Sequence, residues 1–373
     1  MKLSSHTERR PKVSYFVTGF PGFIATRIVK KLVADHPGQN FTLLVHASQM
    51  QKARNSLADI SGEQDIPQSR FRIIEGDITK ANLGLTKDEQ QEIAEEVTIV
   101  FHLAAIYDLA VAESVAEEIN VTGTQNVTNW VKTLPKLERY IYFSTAYVSG
   151  NRSGTILETE LIDINGFKNF YESTKFKAEV IVRRSWDEIP TTIIRPGVVT
   201  GDSRTGETDK FDGPFFVMRF IDKFSKIPIP NLGKGEALFN VVPVNFVVDA
   251  ACNLAHFKDA EHKTYHLVDP SPHTARDAFA LICQAQMGFT PHYTIPLRLV
   301  EGALSIPAFR RWVGVEKETL EYFRIGPTYD SFQAQKDLAV LGVTCPDFAS
   351  YVQKAVDYFV QHKSDEAKII KVT

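Results

Sequence analysis

Val13-Ser14-Tyr15-Phe16-Val17-Thr18-Gly19-Phe20-Pro21-Gly22-Phe23-Ile24-Ala25 is an apolar run that breaks at two glycines and resumes with a different period. Residues 13–18 are rich in β-branched and aromatic side chains, which predicts a buried strand. Beyond the glycines, Ile24, Ile28 and Leu32 fall at i, i+4 and i+8, one face of a helix. The glycines therefore sit on a strand-to-helix turn. There the first permits a tight turn, and the second lets the backbone approach a pyrophosphate held at the helix N-terminus. The spacing is Gly-x-x-Gly-x-x-Ala, and Ala25 is small enough for the helix to pack closely on the strand. Gly19, Phe20, Gly22, Phe23 and Ile24 are the turn's candidate dinucleotide contacts.

The pattern repeats downstream. Residues 41–45 read as a second strand, 72–78 contain a third that ends in the acid Asp77, and 97–105 hold a fourth. Residues 140–144 and 191–196 read as a fifth and sixth, with helical stretches such as 121–132 and 172–184 between strands. Alternation of this kind implies an α/β fold: a Rossmann-type, doubly wound parallel sheet with helices on both faces. Ligands of such sheets bind beyond the carboxyl ends of the strands. Gly19, Asp77, Ala104, Thr145 and Pro196 all fall at those ends.

Tyr171-Glu172-Ser173-Thr174-Lys175 supplies chemistry for that edge. A Tyr and a Lys four apart on a helix share a face. With the strand that ends at Ser144 and Thr145 beside that face, three groups converge. The phenol can give a proton to a carbonyl oxygen, and the hydroxyl can hold the same oxygen. The cation is expected to lower the phenol pKa. Side chains alternate along a strand, so only one of Ser144 and Thr145 should point into the site.

Thr18-Gly19-Phe20-Pro21-Gly22-Phe23-Ile24, His102-Leu103-Ala104-Ala105, Asn120-Val121-Thr122-Gly123-Thr124, Tyr171-x-x-x-Lys175 and Arg195-Pro196-Gly197 resemble the extended short-chain dehydrogenase/reductases over nearly the whole chain. Ser144-Thr145-Ala146-Tyr147-Val148, Leu43-Leu44-Val45 and residues 200–206 resemble the fatty acyl-CoA reductase and thioester reductase branch. The resemblance implies roles for single residues. Gly19, Gly22 and Ala25 match the pyrophosphate turn, Asp77 and Ile78 the pair flanking the adenine, and Ala104 and Ala105 the strand end under the ribose. Thr145 matches the catalytic hydroxyl, Tyr171 the proton donor and Lys175 its partner, which also holds the ribose. Asn120 matches an asparagine that supports the lysine and a bound water in some relatives. Pro196 and Val198 match the segment against the nicotinamide. The family also implies a homodimer through the helices at 121–132 and 172–184.

The coenzyme reading turns on the end of the second strand. An acid there would bind the ribose hydroxyls and repel a 2′-phosphate. His46 stands there instead, and no Asp or Glu occurs between Asn40 and Ala58. Lys52 and Arg54 follow, and Arg27 lies on the first helix, so a phosphate has partners within reach. NADPH is expected over NADH. The competing account makes Lys52 and Arg54 solvated helix charges.

After residue 200 the character changes. Residues 1–200 are expected to form the nucleotide-binding domain, completed by returning segments at about 236–268, and 201–373 mainly a smaller substrate lobe. Residues 264–268 read as a late strand, a helix is expected from Ala250, and 347–362 carry apolar residues at helical spacing. Phe216, Phe220 and Phe224 would line one helix face. Apolar pockets favour such side chains, so Phe216 and Phe220 are candidate contacts for an acyl chain. The 373 residues leave no room for an adenylation or carrier domain beside this fold. A thioester is therefore expected on coenzyme A or a separate acyl carrier protein.

The net charge of −3 gives no footprint for nucleic acid. The three cysteines are scattered without metal spacing, so reduced thiols and no metal are expected. Residues 1–12 are polar and basic, unlike a secretory signal. No run of about 18 apolar residues occurs, so a cytoplasmic enzyme without a membrane span is expected. Other readings keep the fold. One reduces a small ketone or aldehyde, and one acts on a nucleotide sugar as an epimerase or dehydratase. Another class altogether is a regulator that senses NADP without turnover.

Overall fold

The computed structural model describes residues 13–107, 111–225, 229–313 and 326–370. The reading of residues 1–12 as no secretory signal lies outside them. Seven parallel strands form the main sheet: β1 (Ser14–Thr18), β2 (Asn40–Val45), β3 (Phe71–Glu75), β4 (Ile99–His102), β5 (Arg139–Phe143), β6 (Thr191–Pro196) and β7 (Lys263–Leu267). Their order is β7-β6-β5-β4-β1-β2-β3. The order reverses between β4 and β1, the kind of switch point at which doubly wound sheets open a ligand crevice.

Strand periodicity decides what each face buries. Tyr15, Val17, Phe41, Leu43, Phe101 and Ile141 enter one core. Their chain neighbours Phe16, Leu44, Val100, Tyr140 and Tyr142 enter the other. The first core is closed by α1 (Phe23–Asp35) and α2 (Met50–Gln64). The second is closed by α3 (Gly123–Val131) and α4 (Phe170–Arg183).

The later chain adds α5 (Pro214–Lys223), α6 (Val244–His256), α7 (Ala275–Met287) and α8 (Phe348–His362). Helix α6 returns to the first core beside α1, and β7 closes the sheet edge next to β6. Helices α5, α7 and α8 bury a separate cluster around Phe211, Phe215, Phe279 and Phe359.

One boundary differs from expectation. Helix α6 starts at Val244, not Ala250. Pro243 is its N-cap, and Val244, Val247, Val248, Ala251, Cys252 and Ala255 are buried at helical spacing. The β-branched residues of 244–248 read locally as extended chain, and packing on α1 overrides that propensity.

Candidate active site

The glycine turn has the predicted geometry. Gly19 has φ +86°, and a Cβ there would lie 2.7 Å from the Ala104 backbone nitrogen. Both facts require glycine, and they bring the first turn against the end of β4. A Cβ on Gly22 would lie 2.7 Å from the Gly19 carbonyl oxygen. Gly22 is the N-cap of α1 and supplies no side-chain cap, so the first N–H groups of a 13-residue helix face the crevice uncapped. A cradle without side chains at a helix N-terminus fits a pyrophosphate. Phe20 is buried, and Phe23 and Ile24 are partly buried, all in the first core.

The ribose and adenine markers line the same edge. Asp77 accepts hydrogen bonds from the Thr79 amide and hydroxyl at 2.9 and 2.8 Å. Burial opposes its ionisation, but the Thr79 bonds outweigh it and hold the carboxyl below its usual range, with His46 adding positive charge. Ile78 packs where a Cβ on Gly123 would stand, 2.6 Å from its Cδ1. Ala104 is held by its amide, which donates to Thr18 Oγ1 at 3.2 Å, while Ala105 is exposed. Pro196 ends β6, and the Val198 amide donates to the Asn240 carbonyl at 2.9 Å.

His46 ends β2 as expected and caps the following turn by accepting from the Ser48 amide. Lys52 and Arg54 are exposed on α2. Arg27 is committed elsewhere: it donates to Glu207 at 2.9 Å and Asp209 at 3.1 Å. These acids follow the 200–206 motif, a distance along the chain that local reading does not bridge.

Helix α4 begins at Asn169, whose side chain accepts from the Glu172 amide at 2.9 Å. The cap fixes the first turn, and Tyr171 and Lys175 then face the end of β5. The Thr145 hydroxyl lies beside the Tyr171 phenol and favours its charged form. Thr145 Oγ1 also accepts from the Tyr147 amide at 3.3 Å, which holds its rotamer. Ser144 points away and donates to Glu179 Oε2 at 2.6 Å. Of the two neighbouring hydroxyls, Thr145 belongs with the phenol and Ser144 with the scaffold beneath it.

The electrostatics differ from the sequence expectation. Burial raises the Tyr171 pKa, and the Thr145 hydroxyl offsets only part of this. Lys175 does not act as the lowering charge. Its Nζ donates to the Tyr142 hydroxyl at 3.0 Å and the Phe143 carbonyl at 2.6 Å. Burial also pulls the Lys175 pKa down to about 7, against the favourable charge of Glu179. The cation is weakened by the same desolvation that keeps the phenol protonated.

Asn120 is buried, but its amide serves other groups. Oδ1 accepts from the Ile106 amide at 2.9 Å, and Nδ2 donates to Thr174 Oγ1 at 3.0 Å. Any support for Lys175 runs through helix α4, not through a direct bond. Phe216 packs with Val300, Leu304 and Val313, and Phe220 and Phe224 bridge that cluster to the α5–α8 core. The rings of Phe220 and Phe224 lie 4.8 Å apart.

Three residues at the site escaped the sequence reading. Tyr107 is exposed and meets the Tyr171 ring edge-on at 5.1 Å. Tyr142 holds Lys175. Glu179 binds Arg195 at 2.6 Å, with both side chains fully buried. The spacing of Lys175 and Glu179, one helical turn, was the available signal for Glu179. Nothing local marks Tyr107.

Residues 17–251 match the NAD-binding family described as male sterility protein. The chain belongs to that family. It is thus an extended short-chain dehydrogenase/reductase of the branch that the sequence motifs resemble, and its cofactor is a nicotinamide dinucleotide. It is 29% identical over 272 residues to fatty acyl-CoA reductase wat of Drosophila melanogaster, covering 63% of this chain and 52% of that protein. The chain thus spans about half the length of that curated relative. The terminal R domain of the myxalamid PKS-NRPS pathway superposes with a TM-score of 0.81 at 23% identity, covering 96% of this chain and 93% of that one. UDP-glucuronic acid 4-epimerase from Bacillus cereus, in complex with NAD, superposes with a TM-score of 0.65 at 18% identity, over 95% and 99% of the two chains. These two likenesses speak for the fold. Among the described residues no helix is long and apolar enough to cross a membrane.

Proposed function

We propose that this protein is an NADPH-dependent reductase of acyl thioesters, carried on coenzyme A or an acyl carrier protein, or of the derived aldehydes. The observation that carries the chemistry is the placement of the Thr145 hydroxyl beside a protonated Tyr171 at the carboxyl edge. The bound coenzyme supplies the hydride. Thr145 and Tyr171 hold the substrate carbonyl oxygen, and Tyr171 protonates it as charge develops. Lys175 holds the nicotinamide ribose. With a thioester the product is a hemithioacetal, which expels the thiol and leaves an aldehyde. Likeness to a fatty acyl-CoA reductase supports the thioester over a free ketone.

Gly19, Gly22, Asp77, Ile78, Ala104, Pro196 and Val198 would hold the dinucleotide. His46, with Lys52 and Arg54 on the next helix, would favour the 2′-phosphate. Residues 1–200 with about 236–268 would form the cofactor domain, and 201–373 mainly the substrate lobe. A homodimer through α3 and α4 would be polar, because that surface carries the Lys132–Glu188 pair at 2.7 Å and the Lys177–Glu117 pair. Light scattering tests it.

The deciding assay is NADPH oxidation, followed by absorbance, against a long-chain acyl-CoA, a fatty aldehyde and a UDP-sugar. Turnover of the acyl-CoA with release of free thiol is expected. Turnover of the UDP-sugar alone would overturn the reading.

A further inference from the structure

A chain of buried side chains runs under the site from the glycine turn to the catalytic lysine. Thr18 Oγ1 lies 2.8 Å from His102 Nδ1, and His102 Nε2 lies 3.2 Å from Thr124 Oγ1. The His102 ring lies against the Tyr142 ring, with centroids 5.7 Å apart, and the Tyr142 hydroxyl accepts from Lys175 Nζ at 3.0 Å. All five side chains are buried to within 4% of full exclusion from solvent. At the far end, Thr18 Oγ1 accepts the Ala104 amide, tying the chain to the strand end beneath the cofactor edge.

The chain has a self-consistent polarity. Burial, with Lys175 nearby, lowers the His102 pKa to about 3, so the ring is neutral and carries one N–H. With that proton on Nδ1, His102 donates to Thr18 and accepts from Thr124, while Lys175 donates to Tyr142. Both ring nitrogens of His102 then have partners, which a buried polar group requires to be stabilising.

We propose that Tyr142 is a positioning residue for Lys175, standing between the lysine ammonium and the buried Thr18–His102–Thr124 hydrogen bonds beneath the dinucleotide-binding turn. An ammonium with fewer acceptors in a desolvated place releases its proton more readily. Tyr142 also presents its ring face to Nζ at 4.6 Å. Tyr142→Phe therefore keeps the ring and removes only the acceptor. The other groups facing Lys175 are Glu179 and Tyr171 on its own helix and His102 on β4. Glu179 favours the charged lysine, the neutral phenol adds no charge, and neutral His102 adds none either.

The test uses the full chain in two arms. In ligand-free protein, Tm is followed from pH 6 to 10, a range set by roughly the folded and ordinary lysine pKa values. Lys175 is depressed when folded, so its cost to stability is full below the folded pKa and is relieved as pH rises toward the unfolded value. In Tyr142→Phe the rise should begin roughly one pH unit lower. In a Lys175→Met background, Tyr142→Phe should shift nothing. The second arm rests on the proposed function: the high-pH limb of kcat/KM for NADPH-dependent reduction should move down by the same amount. A uniform fall in Tm, with both profiles parallel to wild type, would overturn the proposal. If no substrate turns over, the proposed function fails while the ligand-free arm still decides the role of Tyr142. Should Tyr142→Phe not fold, 3-fluorotyrosine at position 142, a weaker acceptor on the same ring, carries both arms.

Discussion

Lys175 and Glu179 lie one turn apart on α4, and both are buried, yet their surroundings are opposite. Glu179 is met by Arg195 at 2.6 Å, Arg183 at 2.9 Å and the Ser144 hydroxyl at 2.6 Å. Burial alone would raise its pKa; Arg195 and its neighbours override that and bring it down to about 2. Lys175 has two neutral acceptors and only a distant share of Glu179, so its charge is poorly supported. A buried charge that is fully paired belongs to the scaffold. One left partly unsupported, at the edge where a ligand's oxygens would complete its shell, belongs to the chemistry.

Breaking the scaffold side should have the largest effect. Arg195 also donates to the Glu160 carbonyl at 2.7 Å and lies 3.1 Å from His266 Nε2, so it ties α4 to the loop before it and to β7. Arg195→Ala leaves Glu179 buried with one partner removed, and should cost about 3–5 kcal/mol in urea unfolding. A loss below about 1 kcal/mol would mean that Arg183 alone satisfies the carboxylate, and the contrast with Lys175 would collapse.

The chemical side should show the reverse pattern. Tyr171→Phe should reduce turnover at least about a hundredfold, the scale of general-acid catalysis, while NADPH binding and Tm stay near wild type. Near-normal turnover would remove Tyr171 from the reaction. A large fall in Tm would instead move it into the scaffold.

A smaller change is expected at the coenzyme end. His46→Asp puts an acid at the end of β2, where it can bind ribose hydroxyls and repel a 2′-phosphate. The ratio of NADPH to NADH affinity should fall by about tenfold, a single charge-assisted contact of roughly 1.4 kcal/mol. Equal affinities in the wild type would remove the argument from the missing acid. Arg27 is bound to Glu207 and Asp209, so the preference is expected to rest on His46, Lys52 and Arg54 instead.

The legible part of this protein is the part where the candidate site coincides with local pattern. The glycine turn, the strands and the Tyr-x-x-x-Lys face each follow from periodicity or from a spacing within one helical turn. Strand alternation said that only one of Ser144 and Thr145 enters the site, and the family resemblance pointed to Thr145. The electrostatics were not legible. That Lys175 spends its protons on Tyr142 and Phe143 depends on β5 lying under α4, and the high Tyr171 pKa depends on how deeply that edge is buried. Arg27 looked available because its acids lie far along the chain. Residues 244–248 misled for another reason: their β-branched propensity is genuine, and packing on α1 defeats it.

The aromatic lobe offers the smallest and most discriminating test. Phe216, Phe220 and Phe224 share one side of α5, as spacing predicts, but their rings also join the cluster around Val300 and Leu304 to the α5–α8 core. Two accounts share these contacts. If the face borders the acyl route, each added CH₂ of substrate gains up to about 0.8 kcal/mol, close to fourfold in kcat/KM, until the pocket is full. If the rings only pack the lobe, chain length should not matter to them. Phe220→Asp separates the accounts when assayed as folded protein on short and long acyl-CoA. A loss that grows with chain length supports the route. A uniform loss with a lowered Tm assigns Phe220 to packing alone, because a charge forced between two apolar clusters costs stability whatever the substrate. A flat chain-length profile in the wild type would discard the acyl route altogether and turn the substrate toward a small ketone or aldehyde.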